Sequence, residues 1–575
     1  MQARERYENW LHSSYVDEAT KDELRSIADQ PQEIEERFYK QLEFGTGGLR
    51  GVLGAGTNRV NPYTIRRATQ GLANYIAAQG EAAKQKGVAI AHDSRHQSPE
   101  LSLETACTLA ANGIRVYLFE SLRPTPELSY AVRHLGAQAG VVLTASHNPP
   151  EYNGYKVYWE DGGQIVPALA KEVIAAVNAV HDFSDVRTMS REEAEAAGLL
   201  TWIGATVDDA YMAELKKLIL NPEVIREVAD DFKVVFTPLH GAGNELIQRG
   251  LREIGFTNVH VVPEQELPDP NFSTVKSPNP EEREAFTLAM AQAAEIGADL
   301  IIGTDPDCDR VGVVVRNAEG EFEVLSGNQT GVLLLHYILS EREKRGLIPQ
   351  GATMVKTIVT SEMGRAVASR YGVETIDTLT GFKYIGEQIR LFEESGERTF
   401  LFGYEESYGY LAGTFVRDKD GVMSTMLIAE MAAFYRKQGV TLYEALQNLY
   451  REFGFYKESL VSRTLKGIDG MRQMQGILEN MRNQPPVELG AYTVTEVRDY
   501  WSGTLIRTAD GSTERLALPQ ENVLHYTLAD GSWFCLRPSG TEPKIKFYFS
   551  MKGATEQEAN EMLEQVQKIV LSRVE

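Results

Sequence analysis

The stretch AGVVLTASHNPP, residues 139–150, joins a short apolar run to a loop of Ser, His, Asn and Pro. The same layout recurs in four other places: a β-rich run ends in a polar or Gly-containing loop, and a helical stretch follows. These places are KGVAIAHDSR (86–95), FKVVFTPLHGAG (232–243), ADLIIGTDPDCDR (298–310) and RTFLFGYEES (398–407). Strands that alternate with helices predict α/β layers, whose ligands bind at the carboxyl ends of the strands.

The two ends of the chain follow other patterns. The first forty residues carry apolar side chains at helical spacing, which predicts helices. From about residue 457 the pattern is mixed α+β, with helices at 471–483 and 555–572 and strands around 492–501 and 525–538. Since a domain averages roughly 150 residues, 575 residues suggest four domains. We place them at 1–205, 206–325, 326–455 and 456–575.

Composition excludes several classes of function. Hydrophobic residues make up 43% and charged residues 24%, as in soluble globular proteins. A net charge of -23 repels nucleic acid, so a small molecule is the expected partner. Three scattered cysteines and no CxxC pair argue against a disulfide framework or a zinc site. The charged start of the chain and the lack of long apolar runs predict a cytoplasmic protein without a membrane partner.

The first chemical motif is TASHNPPEYNGYK, residues 144–156. Ser146 follows an apolar strand and lies in a turn rich in Asn and Pro. A serine needs activation before it acts as a nucleophile, and His147 and Lys156 are the nearby candidates. The segment is not GxSxG, so a hydrolase elbow is not supported. On spacing alone, Ser146 could equally be a residue that makes turn hydrogen bonds.

The second motif is GTDPDCDR, residues 303–310. Asp305, Asp307 and Asp309 alternate directly after an apolar run. Carboxylates so close repel each other unless a cation neutralises them, and their oxygens suit Mg²⁺. The alternative is a solvated acidic turn.

The third motif is LRPSGTEPKIKFY, residues 536–548, between two strand-like runs. We expect Arg537, Ser539, Gly540 and Thr541 to lie in its loop. Backbone N–H groups, two hydroxyls and a guanidinium form a phosphate cradle, and Lys544 and Lys546 add charge. The alternative is an ordinary hairpin loop.

The fourth motif is GYEESYGY, residues 403–410, in which Glu405 and Ser407 suit the hydroxyl groups of a sugar. A helix N-terminal cap explains it equally well locally. We expect Lys383 to lie in a Gly-flanked loop, Arg50 follows a Gly-rich turn and Arg95 ends HDSR; each could be only a surface charge. A presented serine, a cation site, a phosphate cradle and a sugar loop together predict phosphoryl transfer on a phosphorylated sugar.

These four motifs, in this order, resemble those of the α-D-phosphohexomutase family over nearly the whole chain. The resemblance implies an α/β fold: three related α/β/α sandwich domains with mixed sheets, and a smaller C-terminal α+β domain, around a central cleft. It implies a mutase that interconverts glucose 1-phosphate and glucose 6-phosphate. Phospho-Ser146 would donate its phosphoryl group to the sugar and so form glucose 1,6-bisphosphate, which is also the activator. The other phosphate of this intermediate would then phosphorylate Ser146 again.

The same resemblance assigns roles to individual residues. One Mg²⁺ per subunit would be bound by the three aspartates and would contact the Ser146 phosphate. Catalytic roles would belong to Lys156, as a proton-transfer group, and to His147 and Arg50. Substrate would be bound by Arg310, Lys383, Glu405, Ser407, Arg537, Ser539, Gly540 and Thr541. We expect a monomer or a small homo-oligomer.

Several alternatives stay open on the sequence. GYEES is closer to the form of glucose-specific members, and Tyr408 makes mannose activity doubtful. The helical N-terminus, FGTGGLRG and GFKYIG resemble the branch that also contains phosphopentomutases, so a pentose phosphate competes with glucose. An aspartyl phosphatase using Asp305 would leave the RPSGT and GYEES motifs unexplained. A non-catalytic sugar-phosphate sensor is a third alternative, and the intact serine and complete aspartate triad argue against it.

Overall fold

A computed structural model describes residues 2–45, 47–465, 467–538 and 544–574. The chain divides into two compact units. The first comprises residues 1–330 and 382–441, and the second comprises residues 331–381 and 442–575. Elements are numbered below in chain order.

Three helices open the first unit, as the helical spacing predicts. They are α1 (Gln2–His12), α2 (Glu18–Ser26) and α3 (Pro31–Phe38). Asp17 caps α2 by accepting the N–H of Thr20, and Pro31 begins α3 at a position where no backbone donor is needed. Trp10 packs edge-on against Phe38 and Tyr63, so these helices share a small core with the start of the next helix.

A six-stranded mixed sheet follows, with strand order β1-β5-β4-β2-β3-β6. Its strands are β1 (Gly48–Val52), β2 (Val88–His92), β3 (Val116–Phe119), β4 (Ala139–Leu143), β5 (Tyr152–Trp159) and β6 (Leu200–Ile203). Its helices are α4 (Pro62–Ala78), α5 (Glu81–Lys86), α6 (Ser98–Ala111), α7 (Thr125–His134), α8 (Pro167–Asn178) and α9 (Arg191–Ala196). The central strands β2 and β4 are parallel and fully buried, which explains their continuous apolar runs.

A five-stranded mixed sheet comes next, with strand order β11-β10-β9-β7-β8. Its strands are β7 (Val234–Thr237), β8 (Val259–Val261), β9 (Leu300–Thr304), β10 (Val311–Arg316) and β11 (Phe322–Leu325). The helices of this segment are α10 (Ala205–Lys216), α11 (Pro222–Val228), α12 (Asn244–Ile254), α13 (Pro263–Glu266) and α14 (Thr287–Ile296). β7 and β9 are parallel neighbours, so the loops after them emerge at one edge.

The chain then passes between the units. Helix α15 (Gly327–Lys344) leads into the second unit, where β12 (Ala352–Thr357) and β13 (Glu374–Thr378) form a parallel pair flanked by α16 (Met363–Arg370). The first unit resumes with α17 (Phe382–Ser395), the antiparallel hairpin of β14 (Thr399–Glu405) and β15 (Gly409–Ala412), and α18 (Gly421–Lys437). Almost the whole length of α18 is buried.

The rest of the second unit is an antiparallel sheet with helices. Its helices are α19 (Leu442–Phe453), α20 (Gly467–Asn483) and α21 (Glu556–Arg573). Its strands are β16 (Phe455–Thr464), β17 (Glu488–Leu489), β18 (Tyr492–Asp499), β19 (Thr504–Arg507), β20 (Thr513–Arg515), β21 (Leu524–Leu528), β22 (Trp533–Pro538) and β23 (Lys544–Gly553). Buried residues of α20, α21 and the central strands form one core.

The predicted fold class is confirmed: mixed sheets with helices are followed by a C-terminal α+β part. All five predicted apolar runs are strands that end in the predicted polar loops, and the N- and C-terminal helices form where the spacing places them. The four domain boundaries stay a prediction. Within the described ranges, no helix combines the length and apolar character needed to cross a membrane.

Candidate active site

Ser146 lies in the serine loop, residues 144–151, which follows β4. It has a left-handed backbone, with φ of 52°, and its side chain and backbone are 5% exposed. Its N–H donates to Oγ1 of Thr144 over 2.8 Å, which fixes the turn in a conformation that non-glycine residues rarely adopt. Such an uncommon conformation is more typical of a functional loop than of an ordinary turn.

The three aspartates that follow β9 are buried together. Asp305, Asp307 and Asp309 are at most 2% exposed, and one oxygen from each lies within 4.8 Å of the others. The hydroxyl of Ser146 donates to Oδ2 of Asp305 over 2.8 Å. The alternative of a solvated acidic turn is therefore excluded.

Two lysines balance this negative charge. Nζ of Lys156, on β5, lies 2.8 Å from Oδ2 of Asp307 and 3.3 Å from Oδ2 of Asp309. Nζ of Lys419 lies 3.1 Å from the same oxygen of Asp309. Lys419 was not among the predicted site residues, although the alternating charges of RDKD at 417–420 were a visible signal.

The pKa values of these groups follow from burial and pairing. Burial, with Asp307 and Asp309 as neighbours, raises the pKa of Asp305 well above its ordinary value. Burial also acts to raise the pKa of Asp307, but Lys156 outweighs it and the pKa falls below the ordinary value. Burial would lower the pKa of Lys156, yet Asp307 and Asp309 raise it, so the lysine is an ammonium at neutral pH.

The other predicted groups around Ser146 are also present. Nδ1 of His147 lies 3.2 Å from Oγ of Ser146. Burial, and then the charges of Arg310 and Arg50, lower the pKa of His147 well below its usual range, so the imidazole is neutral. Arg50 lies on β1 opposite Gly154 of β5, and its guanidinium donates to the side chain of Asn148 in the serine loop.

Arg310 joins the aspartate loop, residues 305–310, to the predicted sugar loop, residues 403–410. Its guanidinium forms an ion pair with Glu281 and donates to the carbonyl of Ser407 over 3.2 Å. Burial acts to lower its pKa, but Glu281, Asp309, Asp305 and Glu405 raise it. The charge of Glu405 also contributes to the raised pKa of Lys419, so Glu405 lies in the field of both cations.

Glu405 and Ser407 belong to a hairpin and not to a helix cap. Glu405 ends β14 and pairs with Gly409 of β15. A Cβ on Gly409 would lie 2.2 Å from Cδ of Lys419, so glycine leaves the path along which that lysine reaches Asp309. The hairpin therefore places Glu405 at the cluster and leaves space for its second ammonium group.

Three expectations need correction or lie outside the structure. Lys383 lies in the first turn of α17 instead of a loop, because helix begins at Phe382. Arg537 lies within β22, where it pairs with Lys546 of β23, and its Nε donates to Glu521 over 3.1 Å. Ser539, Gly540 and Thr541 lie outside the described residues.

Two other residues contact the loops of the site, and neither was predicted to do so. The N–H of Thr125 donates to the carbonyl of Asp307 over 2.9 Å, and its hydroxyl donates to Oδ2 over 3.0 Å. Arg95, considered above as a possible surface charge, is 1% exposed and donates to the backbone of the serine loop. Both residues act through the loops that carry the reactive groups.

The aspartate cluster fits a divalent cation. Oδ1 of Asp307 and Oδ1 of Asp309 are buried and have no hydrogen-bond partner among the described residues. Buried carboxylate oxygens without a hydrogen-bond partner are suitable ligands for a hard cation such as Mg²⁺. A hydroxyl, a cation site and two ammonium groups in one buried cluster can transfer a phosphoryl group.

Four family models match the chain. They describe the first, second and third α/β/α domains and the C-terminal domain of phosphoglucomutase/phosphomannomutase, and they match residues 41–182, 209–320, 326–453 and 482–569. Together they account for more than half of the chain.

Curated relatives agree over almost the full length. The phosphoglucomutase of Staphylococcus haemolyticus is 38% identical over 90% of this chain and 91% of its own length. That of Staphylococcus aureus strain MRSA252 is 37% identical over 92% of this chain and 93% of its own.

Solved structures share the fold at low identity. The open form of parafusin, a phosphoglucomutase of Paramecium, has a TM-score of 0.70 at 17% identity, over 93% of this chain and 96% of its own. A family protein of Burkholderia thailandensis has a TM-score of 0.63 at 19% identity, over 93% and 98%. On the matches to its four domains and to these curated relatives, the chain belongs to the phosphoglucomutase/phosphomannomutase family.

Proposed function

We propose that the protein interconverts α-D-glucose 1-phosphate and D-glucose 6-phosphate, with Ser146 as the carrier of the phosphoryl group. The observation that carries the proposal is the 2.8 Å contact between Oγ of Ser146 and Oδ2 of Asp305 in a buried cluster of aspartates and lysines. The curated relatives named phosphoglucomutase support glucose as the sugar. No residue described above favours a pentose or mannose phosphate over glucose.

We infer that Asp305, Asp307 and Asp309 would hold one Mg²⁺ together with an oxygen of the Ser146 phosphate. When bound, the cation would neutralise charge on the transferring phosphoryl group. Thr125 supports this arrangement because it fixes Asp307 through both its backbone and its hydroxyl. Lys156 and Lys419 contact Oδ2 atoms of Asp307 and Asp309 and limit the net charge of the cluster.

The transfer breaks the bond between phosphorus and Oγ of Ser146 and forms a bond from phosphorus to a hydroxyl oxygen of the sugar. The proton that the sugar hydroxyl loses balances the proton that Oγ of Ser146 gains when it becomes a hydroxyl again. Lys156 is held as an ammonium by Asp307 and Asp309, so it can donate a proton before it can accept one. Neutral His147, 3.2 Å from Oγ, is the second group that can exchange a proton there.

The product of this transfer would be glucose 1,6-bisphosphate, and the reverse transfer from its other phosphate would regenerate phospho-Ser146. We infer that Glu405 and Ser407 bind sugar hydroxyls, because the hairpin places Glu405 beside Arg310 and Lys419. We also infer that Lys383 and Arg310 bind substrate. The phosphate-binding role of Arg537 and of residues 539–541 stays a prediction.

The direct experiment is a substrate panel with wild-type protein, Mg²⁺ and a trace of bisphosphate. The panel contains the 1-phosphates of glucose, mannose, N-acetylglucosamine, ribose and deoxyribose. We expect glucose 1-phosphate to have the highest kcat/KM, and Ser146→Ala to lose nearly all turnover. Ser184→Ala changes an exposed serine that is not among the residues of the site, so it is the matched control and should retain full activity. A higher kcat/KM for ribose 1-phosphate would contradict glucose as the substrate.

A further inference from the structure

Arg95 is a fully buried arginine that binds the backbone of the serine loop. Its Nη2 donates to the carbonyls of Ser146 and Asn148. Its Nη1 donates to the carbonyls of Pro149 and Tyr152, over 2.8 and 3.1 Å. One guanidinium therefore satisfies three carbonyls of the loop and that of Tyr152 at the start of β5, which a point charge such as an ammonium cannot do with the same geometry.

Asp93 holds both Arg95 and the start of the same loop. Its Oδ2 lies 3.2 Å from Nε of Arg95 and accepts the hydroxyl of Thr144 over 2.6 Å. That hydroxyl in turn accepts the N–H of Ser146. The left-handed conformation of Ser146 is thus fixed from both sides, by its N–H through Thr144 and by its carbonyl through Arg95.

A turn between α13 and α14, residues 269–274, covers the guanidinium of Arg95. Phe272, 1% exposed, places its ring centroid 5.0 Å from Cζ of Arg95, within the range of a cation–π contact. Asp269 fixes the turn by accepting the N–H groups of Asn271 and Ser273, both over 2.9 Å. The side chain of Asn271 contacts Nε2 of His96, the residue after Arg95, over 2.8 Å.

The same turn is tied to the loop that carries the aspartates. His240 donates from Nδ1 to the carbonyl of Leu267 over 3.0 Å, and its Nε2 accepts the hydroxyl of Thr274 over 2.8 Å. Two residues later, the N–H of Ala242 donates to the carbonyl of Pro306, between Asp305 and Asp307, over 2.8 Å. The turn therefore contacts, through short chains of hydrogen bonds, both loops that meet at the Ser146–Asp305 bond.

We propose that residues 269–274, with Phe272 at their centre, are a brace that acts through the positioning residue Arg95 to hold the Ser146 hydroxyl at the aspartate cluster. The inference rests on the proposed function for its catalytic consequence. The brace touches neither substrate nor the reacting atoms. Its role is to fix the distance between the serine loop and the aspartate loop before substrate binds.

Loss of the brace should lower kcat more than it changes KM. A displacement of about 1 Å at reacting atoms costs about 100-fold in rate, whereas the groups that would bind the sugar lie on other elements. We therefore expect Phe272→Ala and Arg95→Lys to lower kcat by about 10- to 100-fold and to change KM by less than about threefold. Lysine retains the charge of Arg95 but not its four-carbonyl contact, so it should not rescue activity.

The experiment compares Phe272→Ala, Phe272→Leu and Arg95→Lys with Phe232→Ala. Phe232 is a matched control because it is also buried, at 3% exposure, but it precedes β7 at the end opposite to the polar loops. Two quantities are measured on the full chain: kcat and KM for glucose 1-phosphate, and hydrogen–deuterium exchange of peptides covering residues 144–152. Phe272→Leu keeps apolar volume without the ring face and remains informative if the alanine variant does not fold.

The proposal is supported if the Phe272 and Arg95 variants exchange faster at residues 144–152 and lose kcat while Phe232→Ala does neither. It is overturned if exchange there is unchanged, if Arg95→Lys is fully active, or if Phe232→Ala has the same effects. Absence of mutase activity in the wild-type protein would instead overturn the proposed function. The exchange measurement would still decide whether the brace holds the serine loop.

Discussion

The hydroxyl of Ser146 donates a hydrogen bond to Oδ2 of Asp305, a residue 159 positions further along the chain. The two loops come from different sheets, and each loop follows a buried strand. A left-handed serine backbone and a buried carboxylate cluster both cost folding free energy, and arrangements with such a cost are typical of functional sites.

Removal of a cation ligand should abolish metal-dependent turnover. Asp307→Asn keeps the shape of the side chain but removes one charge from the cluster, so we expect Mg²⁺ affinity and kcat/KM to fall by more than about 100-fold. The reason is that even outer partners of metal ligands contribute 10- to 100-fold. Activity is measured against Mg²⁺ concentration after chelation. Asp299→Asn, at an exposed aspartate just before β9, is the control, and equal Mg²⁺ curves for all three proteins would contradict the assignment.

Lys419 should have opposite effects on cation binding and on catalysis. Lys419→Met leaves Asp309 with less positive charge nearby. In the presence of a chelator, the variant should therefore be less stable than the wild type by about 3 kcal/mol. The same loss of positive charge should make it bind Mg²⁺ more tightly. Its kcat should fall, because an ammonium group has left the cluster. Denaturant unfolding with and without Mg²⁺ measures the first two effects.

Lys437→Met provides the control for Lys419. Lys437 is half-exposed and pairs with Glu227 on the surface, so its loss should change stability by less than about 1 kcal/mol. Weaker Mg²⁺ binding in Lys419→Met than in Lys437→Met would show that Lys419 does not compete with the cation.

Gly409 should be intolerant of a methyl group. A Cβ there lies 2.2 Å from Cδ and 2.5 Å from Cγ of Lys419, so Gly409→Ala should displace that lysine from Asp309. We expect kcat to fall by about 10- to 100-fold, because a displacement of about 1 Å in the site costs about 100-fold in rate. Gly476→Ala, in α20, meets nothing within 4 Å and should be neutral or slightly stabilising. Full activity of Gly409→Ala would contradict the assigned role of Lys419.

The second unit should lose stability in mild acid because of His525. Burial, and then the charge of Arg498, lowers the pKa of His525 from 6.5 to about 3. Between these values the unfolded chain binds the proton and the folded chain does not, so the free energy of unfolding falls as pH falls. The slope for one such histidine is at most about 1.4 kcal/mol per pH unit.

The test compares wild-type protein with His525→Gln at about pH 7.5 and about pH 5.5. Glutamine keeps a donor but does not titrate, so the variant should lose about 1 kcal/mol less than the wild type over this interval. His12→Gln, at an exposed histidine of α1, should follow the wild type. An identical pH dependence in all three proteins would rule out His525 as the source.

Local pattern was sufficient to predict the strands and the loops that end them. Asp305, Asp307 and Asp309 were predictable because three acidic residues alternate directly after an apolar run, and Ser146 because a strand leads to it. Among the antiparallel C-terminal strands, those around 492–501 and 525–538 could be placed, but not the order of the strands in the sheet. Pairing order depends on contacts between residues distant in sequence, which periodicity does not report.

The roles of Lys419 and Arg95 could not be predicted in this way. Lys419 reads as one charge in RDKD, and its importance comes from Asp309, over a hundred residues earlier. Arg95 reads as a surface charge after a strand, because its burial depends on Phe272, from a turn about 180 residues later in the chain. Lys383 was assigned to a loop because of its flanking glycine, yet helix α17 already begins at Phe382.

The most direct test of the central claim is to locate the phosphoryl group on the protein. Dephosphorylated wild-type protein is incubated with Mg²⁺ and glucose 1,6-bisphosphate labelled in its phosphates, and the label is mapped by peptide mass spectrometry. The account predicts phosphoserine at Ser146, transfer of that label to glucose 1-phosphate, and neither result in Ser146→Ala. Label on another residue, or a fully active Ser146→Ala without phosphoserine, would contradict it.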